Sequence, residues 1–162
     1  MIRYMCCDSP IGKLVVCEES DRLVAIRLNE IPIGAVPEET LVGKEACSQL
    51  VDYFRGQRKD FQLPLAWKGT PFRQRVWQVL LDIPYGETRT YAQVAEAVGS
   101  PKAVRAAGGA CHDNPWLIVV PCHRVVGSSG QLTGYAAGLE AKRFLLEYET
   151  RNAQSQLFSS RD

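Results

Sequence analysis

Cys122 and His123 sit in Pro121-Cys122-His123-Arg124-Val125-Val126, between an apolar run, Leu117-Ile118-Val119-Val120, and a turn sequence, Gly127-Ser128-Ser129-Gly130. A thiol attacks as thiolate, and a basic or hydrogen-bonding neighbour raises the thiolate fraction at neutral pH. The apolar run reads as a buried strand, so the pair would stand where a rigid element gives out. Two readings compete here: a nucleophile on a scaffold, or a core cysteine, since free cysteine is among the most buried residue types. Consecutive side chains in a strand point to opposite faces, so in extended backbone His123 cannot simply hydrogen-bond Cys122.

The same residue types could hold a metal. The chain has two histidines, His112 and His123, and no Cys-x-x-Cys. Cys111-His112 and Cys122-His123 form a superficial repeat, but adjacent residues rarely coordinate one zinc ion, so no metal site is expected. The six cysteines (6, 7, 17, 47, 111 and 122) show no framework spacing. With no long apolar stretch at the N-terminus and no run approaching a membrane span, they read as reduced thiols in an unsecreted chain.

A chain of 162 residues, 46% hydrophobic, suits one domain or a domain with a small lobe. Residues 1–67 carry 8 basic and 10 acidic side chains, a net of −2, and residues 68–151 carry 10 and 7, a net of +3. The second part is the one a polyanion would prefer, and nucleic-acid binding is permitted rather than demanded.

The elements that must position these residues are legible in outline. Two β-rich segments flank Ser9-Pro10-Ile11-Gly12, and Leu23 to Leu28 continues a meander. A helix follows from about Glu38 to Arg55, with Leu41, Ala46, Leu50 and Tyr53-Phe54 on its apolar side. Phe61 to Trp67 reads as a short strand and linker. Thr70 caps a helix with Pro71 at its first position, striped by Phe72, Val76, Val79-Leu80 and Ile83. Thr90 caps a short helix, Tyr91 to Val98, stopped by Gly99. Ser100-Pro101 starts a third, about Lys102 to Cys111, at the spacing of a helix-turn-helix. The last helix runs to about Glu149, with Leu139, Phe144, Leu145 and Tyr148 available for burial, and a polar tail follows. The expected fold class is α+β: an N-terminal lobe with an antiparallel sheet (1–67), a mainly helical lobe containing the helix-turn-helix (68–150), and a tail (151–162).

Ala103-Val104-Arg105-Ala106-Ala107-Gly108-Gly109-Ala110 is unusual for a helix. Two glycines cost about 1 kcal/mol each relative to alanine. Either they let a neighbouring helix pack closely, or a smooth backbone surface must approach a ligand. A helix of small residues with one Arg suits a narrow groove better than base reading in the major groove.

Together these pieces resemble the O6-alkylguanine-DNA alkyltransferases, the methylated-DNA–protein-cysteine methyltransferases. The Pro121–Val126 segment matches that family's active-site motif, and Arg105–Ala110 its arginine-bearing recognition helix. Asn114-Pro115, Tyr91 within Thr90–Ala95, Gly134-Tyr135, Gly138-Leu139 and the Lys142…Glu149 helix fall at compatible spacing, and Asp8–Leu14 resembles the family's N-terminal lobe. The resemblance implies a DNA repair protein in which Cys122 takes the alkyl group, chiefly methyl, from O6-alkylguanine and also O4-alkylthymine in duplex DNA. The thioether is stable, so each chain reacts once, with no cofactor.

The resemblance also assigns roles. Asn114 holds the turn at Cys122, His123 reaches the sulfur through a water, and Glu149 orients His123. Tyr91 serves near guanine N3, and Tyr135, Val125, Ala136 and Ala137 surround the flipped base. Arg105 fills the gap in the stack, with Ala106, Gly108, Gly109, Thr90, Ser100 and Lys102 on the DNA face, in a minor-groove approach. Ala136 and Ala137 stand where the family often has Ser and Gly, so methyl adducts are expected to be preferred over bulky ones. No oligomer interface is evident in the sequence, so a monomer is expected, away from membranes, cytoplasmic or in a eukaryote nuclear. Two rivals remain: a helix-turn-helix lesion sensor without chemistry, and a cysteine hydrolase or acyltransferase that turns over.

Overall fold

The computed structural model describes the backbone of residues 1–159 and side chains through Ser155. Two compact units result. The first comprises Met1–Trp67 with Pro115–Val119, and the second Lys68–Asn114 with the chain from Val120 onward. No helix among the described residues is long and apolar enough to cross a membrane.

In the first unit, β1 (Arg3–Ser9), β2 (Gly12–Glu19) and β3 (Arg22–Leu28) form an antiparallel meander. The β1–β2 turn closes on the pair Ser9 and Gly12, where Ser9 Oγ donates to the Gly12 carbonyl at 2.6 Å. Ser20 and Asp21 join β2 to β3, both at positive φ (53° and 62°), the conformation that suits a two-residue hairpin loop to the strand twist. A two-residue strand, β4 (Val36–Pro37), pairs parallel to β1 and gives the order β3-β2-β1-β4. The sheet is therefore antiparallel except at this edge. Central strand β2 is buried continuously from Leu14 to Cys17, so both its faces are covered.

Helix α1 (Leu41–Phe54) is capped by Thr40, whose Oγ1 accepts the Gly43 N–H at 3.0 Å. It buries Ala46, Leu50 and Tyr53, but Leu41 is 87% exposed. As the first helical residue, Leu41 falls on the solvent side of a stripe that begins at Gly43. The strand expected at Phe61–Trp67 reduces to a single bridge between Leu23 and Leu65.

The run Leu117–Val120 is not a strand. Trp116 bridges Ile26 and donates its indole N–H to the Leu23 carbonyl at 2.7 Å. The chain then turns: Val119 N–H donates to Leu117 O at 2.7 Å around Ile118, whose φ is +70°. That is a γ-turn centred on a β-branched residue, a conformation that costs on the order of 1–3 kcal/mol and persists only where packing over-determines it. Burial on all sides makes the segment apolar, and a short buried turn has no periodicity to distinguish it from a buried strand.

In the second unit, α2 (Pro71–Leu81) begins as expected, with Thr70 Oγ1 accepting the Arg73 N–H at 3.2 Å. Trp77 is buried beside Val76 and Leu80, and its indole N–H reaches Ala110 O at 2.9 Å. A short parallel ladder pairs β5 (Arg89–Thr90) with β6 (Val125–Val126). Helix α3 (Tyr91–Ala97) opens with a capping box in which Thr90 and Gln93 exchange hydrogen bonds. Helix α4 (Val104–His112) starts later than Ser100-Pro101 suggested, with Ala103 at its cap and no side-chain bond there. Residues 98–103 form the connection, and Ala103 N–H closes a turn onto Ser100 O at 2.8 Å.

Helix α5 (Leu139–Ser159) does not stop at Glu149. The expected tail continues it: Asn152 Nδ2 donates to the Tyr85 hydroxyl at 2.9 Å, and Ala153 lies against Gly86. Gly86 has φ +81°, and a Cβ there would come within 3.0 Å of the Ala153 Cβ, so both backbone and space favour glycine. Residues 160–162 of the expected tail lie outside the described residues. The buried face of α5 is Ala141, Lys142, Leu145 and Glu149, while Leu139 is 47% exposed.

Candidate functional site

Pro121, at φ −82° and ψ 62°, centres an inverse γ-turn in which Cys122 N–H donates to Val120 O at 2.8 Å. A single turn of 3-10 helix, Cys122–Arg124, follows. This coil of backbone, rather than a strand end, fixes where Cys122 and His123 point. Asn114 ties the turn together: its Nδ2 donates to Val120 O at 2.8 Å and to Cys122 Sγ at 3.1 Å.

Cys122 is 4% exposed. Burial pushes its thiol up to about 11, against the Asn114 hydrogen bond and the Lys142 charge, which pull the other way. At neutral pH the sulfur is a protonated thiol with two groups already placed to stabilise its thiolate.

His123 is fully buried, with Nε2 2.8 Å from Glu149 Oε2. Burial lowers its pKa despite the Glu149 carboxylate, so the ring is neutral at pH 7. Donation from Nε2–H to the carboxylate then leaves Nδ1 as the acceptor nitrogen. Nδ1 is buried and has no hydrogen-bond partner among the described residues.

Glu149 is 1% exposed. Burial alone would raise its pKa, but His123 and Arg124 together hold the carboxyl well below the usual range. With His123 neutral, Arg124 is the cation that keeps it ionised. The guanidinium donates Nε to Oε1 at 2.8 Å and Nη2 to Oε2 at 3.0 Å, with Nη1 on Ile83 O at 2.7 Å. Gly86 N–H adds a longer bond to Oε1, 3.4 Å. The guanidinium also lies 5.6 Å from the Tyr85 ring centroid, a cation–π arrangement.

A second cluster surrounds Tyr91. Its hydroxyl accepts from Thr133 Oγ1 at 2.8 Å and from Lys142 Nζ at 3.5 Å. Lys142 also donates to Thr133 O at 2.9 Å and is fully buried. Burial lowers Lys142 and raises Tyr91. Tyr135 is buried, its hydroxyl without a partner among the described residues. Burial above all pushes that hydroxyl well above its ordinary value, and the neighbouring Cys122 and Glu149 add to the rise. Val125 is buried in β6, Ala137 half-buried and Ala136 exposed.

Helix α4 buries Ala107, Ala110 and Cys111 and exposes Arg105, Ala106 and Gly109. Nothing lies within 4 Å of a Cβ built on Gly109, and one on Gly108 would meet Tyr91 only at 3.8 Å. Close helix packing therefore does not explain either glycine. The open surface beside them is a depression lined by Tyr91, Val104, Gly108, His112, Thr133 and Gly134. Lys102 is exposed next to this face, while Ser100 and Thr90 are half-buried, the Thr90 hydroxyl accepting the Gln93 N–H.

The structure thus pairs Asn114 with Cys122 and His123 with Glu149, the two pairs joined by the Cys122–His123 backbone, and places Tyr91 and Gly108 together on a second surface. Sequence reasoning gave no role to Arg124, Lys142 or Thr133. One of these, Lys142, carried a signal: Lys142, Leu145 and Glu149 recur at helical spacing on a buried stripe, and charged residues on such a stripe are rarely buried unless paired. No group of three or more potential metal ligands occurs among the described residues.

Comparison with known proteins identifies the family. Residues 71–151 match the DNA-binding domain of 6-O-methylguanine DNA methyltransferase, and residues 2–67 its ribonuclease-like domain. The chain is 49% identical over 155 residues to the constitutive methylated-DNA--protein-cysteine methyltransferase of Bacillus subtilis, covering 90% of this chain and 94% of that protein. A crystal structure of the Mycobacterium tuberculosis O6-methylguanine methyltransferase superposes with a TM-score of 0.86 at 43% identity, covering 94% of both chains. The M. tuberculosis protein in complex with DNA gives 0.86 at 44%, covering 93% of this chain and 94% of that one. With the family's two domains matched along its length, this chain belongs to the 6-O-methylguanine DNA methyltransferases.

Proposed function

We propose that this protein repairs DNA by moving the alkyl group of O6-alkylguanine onto its own Cys122, once and irreversibly. The observation that carries the assignment to Cys122 is the buried thiol held at 3.1 Å by Asn114 Nδ2. DNA is the partner, as for the relative solved with it. Methyl on guanine O6 is the principal substrate, and O4-alkylthymine presents the same alkyl–oxygen bond.

The chemistry is an in-line displacement. The Cys122 proton leaves toward His123 Nδ1 through one water, since Nδ1 is the acceptor nitrogen of a neutral ring. The thiolate that forms is stabilised by the Asn114 donor and the Lys142 charge. Sulfur attacks the methyl carbon, the S–C bond forms and the C–O6 bond breaks. The electron pair stays on the purine, and the proton ends on guanine. Arg124 and Glu149 do not touch the base; they hold the His123 tautomer. The Tyr91 hydroxyl, kept neutral by burial, is a donor for the departing base.

The base must leave the duplex to reach a thiol that is 4% exposed. Helix α4 fits that task from the minor groove. Its glycines leave backbone surface with no internal use, and Arg105 projects from the same exposed face. Tyr135 and Ala137 then border the extruded guanine. A monomer suffices for one such site, and it acts where the DNA is: the cytoplasm of a prokaryote or the nucleus of a eukaryote.

Transfer of labelled methyl from a duplex carrying one O6-methylguanine tests the reading. Label on protein should saturate at one per chain, with none on Cys122→Ala. Release of label to solvent with continued turnover would identify a hydrolase, and tight binding without transfer a lesion sensor.

A further inference from the structure

In the first unit, helix α1 runs along strand β1 at close range. A Cβ built on Gly43 would lie 2.9 Å from Met5 Sδ, so at that point α1 comes as near to the β1 side chains as a residue without a side chain permits. Four residues on, the helix has risen about 6 Å, and two residues on, the strand has advanced about 6.7 Å. The steps match, so Cys47 comes over Cys7 as Gly43 comes over Met5. The two thiols are neighbours, each the strongest single influence on the other's ionisation. Cys7 is half-buried at the sheet surface, Cys47 is 8% exposed and Cys6 points to the opposite face of the strand.

We infer that Cys7 and Cys47 form a redox site: a dithiol that reacts with peroxide and closes to a disulfide between β1 and α1, ahead of oxidation at Cys122. Cys7 attacks one peroxide oxygen, the O–O bond breaks, and Cys7 sulfenic acid and one water result. The Cys47 sulfur then attacks the Cys7 sulfur, the S–O bond breaks and a second water leaves. Two thiols lose two electrons and one peroxide becomes two waters.

The order follows from where each thiol sits. The neighbouring Cys47 thiol pulls Cys7 below its ordinary value, against burial and the Asp8 carboxylate, whereas burial drives Cys122 up to about 11. Thiolate character and access set susceptibility to oxidation, and Cys7 leads in both. The cross-link also ties the strand at one end of a long loop to the helix at its other end, which restricts the unfolded chain.

The test treats the reduced full-length protein with graded hydrogen peroxide, followed by intact mass, non-reducing peptide mapping and methyl-acceptor capacity. Expected at low dose are loss of two hydrogens, a Cys7–Cys47 linked peptide, full acceptor capacity, a raised Tm and reversal by dithiothreitol. Cys6→Ser keeps the cross-link; Cys7→Ser and, should that variant fold poorly, Cys47→Ala abolish it. The inference is overturned by oxidation of Cys122 at the same dose, by oxygen addition to single cysteines without a cross-link, or by a cross-link that needs Cys6. Peptide mapping reads the order of oxidation whether or not alkyl transfer is observed.

Discussion

The Arg124 guanidinium grips both carboxylate oxygens of Glu149, Nε to Oε1 at 2.8 Å and Nη2 to Oε2 at 3.0 Å, with both side chains buried. The motif residue beside His123 is thus tied to the carboxylate that holds His123. Bidentate geometry fixes the plane of that carboxylate, and the carboxylate fixes the ring.

Removing one member of a buried ion pair leaves the other charged and unpaired, at a cost of about 3–5 kcal/mol. Arg124→Ala should lose stability of that order in urea unfolding, and Arg124→Lys should recover part of it without the two-pronged grip. An Arg124→Ala protein as stable as the parent would contradict the arrangement.

Acid should unfold the protein in two stages. His123 has a folded pKa below its ordinary 6.5, so the unfolded state binds its proton first and stability falls as pH drops below about 6.5. Glu149, also lowered in the fold from 4.5, adds a second loss as pH falls below about 4.5. Unfolding free energy measured from pH 8 down to about pH 3 should decline in both windows, and His123→Gln should flatten the first. Stability constant from pH 7 to 5 would contradict a buried neutral His123.

Without DNA, Cys122 should react with iodoacetamide only slowly at pH 7, its rate climbing toward pH 11 as the thiol ionises. Asn114→Ala should push the midpoint higher still. A plateau near pH 7 would mean a preformed thiolate.

Gly109 separates stability from function. Alanine there meets nothing within 4 Å and should stabilise α4 by about 1 kcal/mol. The same methyl would stand on the DNA face, so Gly109→Ala should raise Tm while weakening duplex binding and slowing repair. Unchanged binding would take Gly109 off that face.

Much of this architecture is legible in the residues themselves. Thr70-Pro71 and Thr90…Gln93 mark their helices because capping chemistry is local, and the Ser9–Gly12 turn sets the first hairpin for the same reason. The Leu117–Val120 turn is not legible, because complete burial erases the polar alternation that distinguishes strand, helix and turn. The start of α4 is displaced because Ser100 spends its backbone on a turn instead of a cap. Cys122, His123, Asn114 and Glu149 stand out through their motifs. Arg124 does not, because long cations usually lie in solvent and only tertiary packing buries this one.

The most direct measurement is intact and peptide-resolved mass of the protein after incubation with excess duplex containing O6-methylguanine. A single methyl group replacing one hydrogen, on the Cys122 peptide of every chain and absent from Cys122→Ala, is the predicted result. An unmodified Cys122 after the lesion has disappeared from the DNA, or methyl on any other residue, would contradict it.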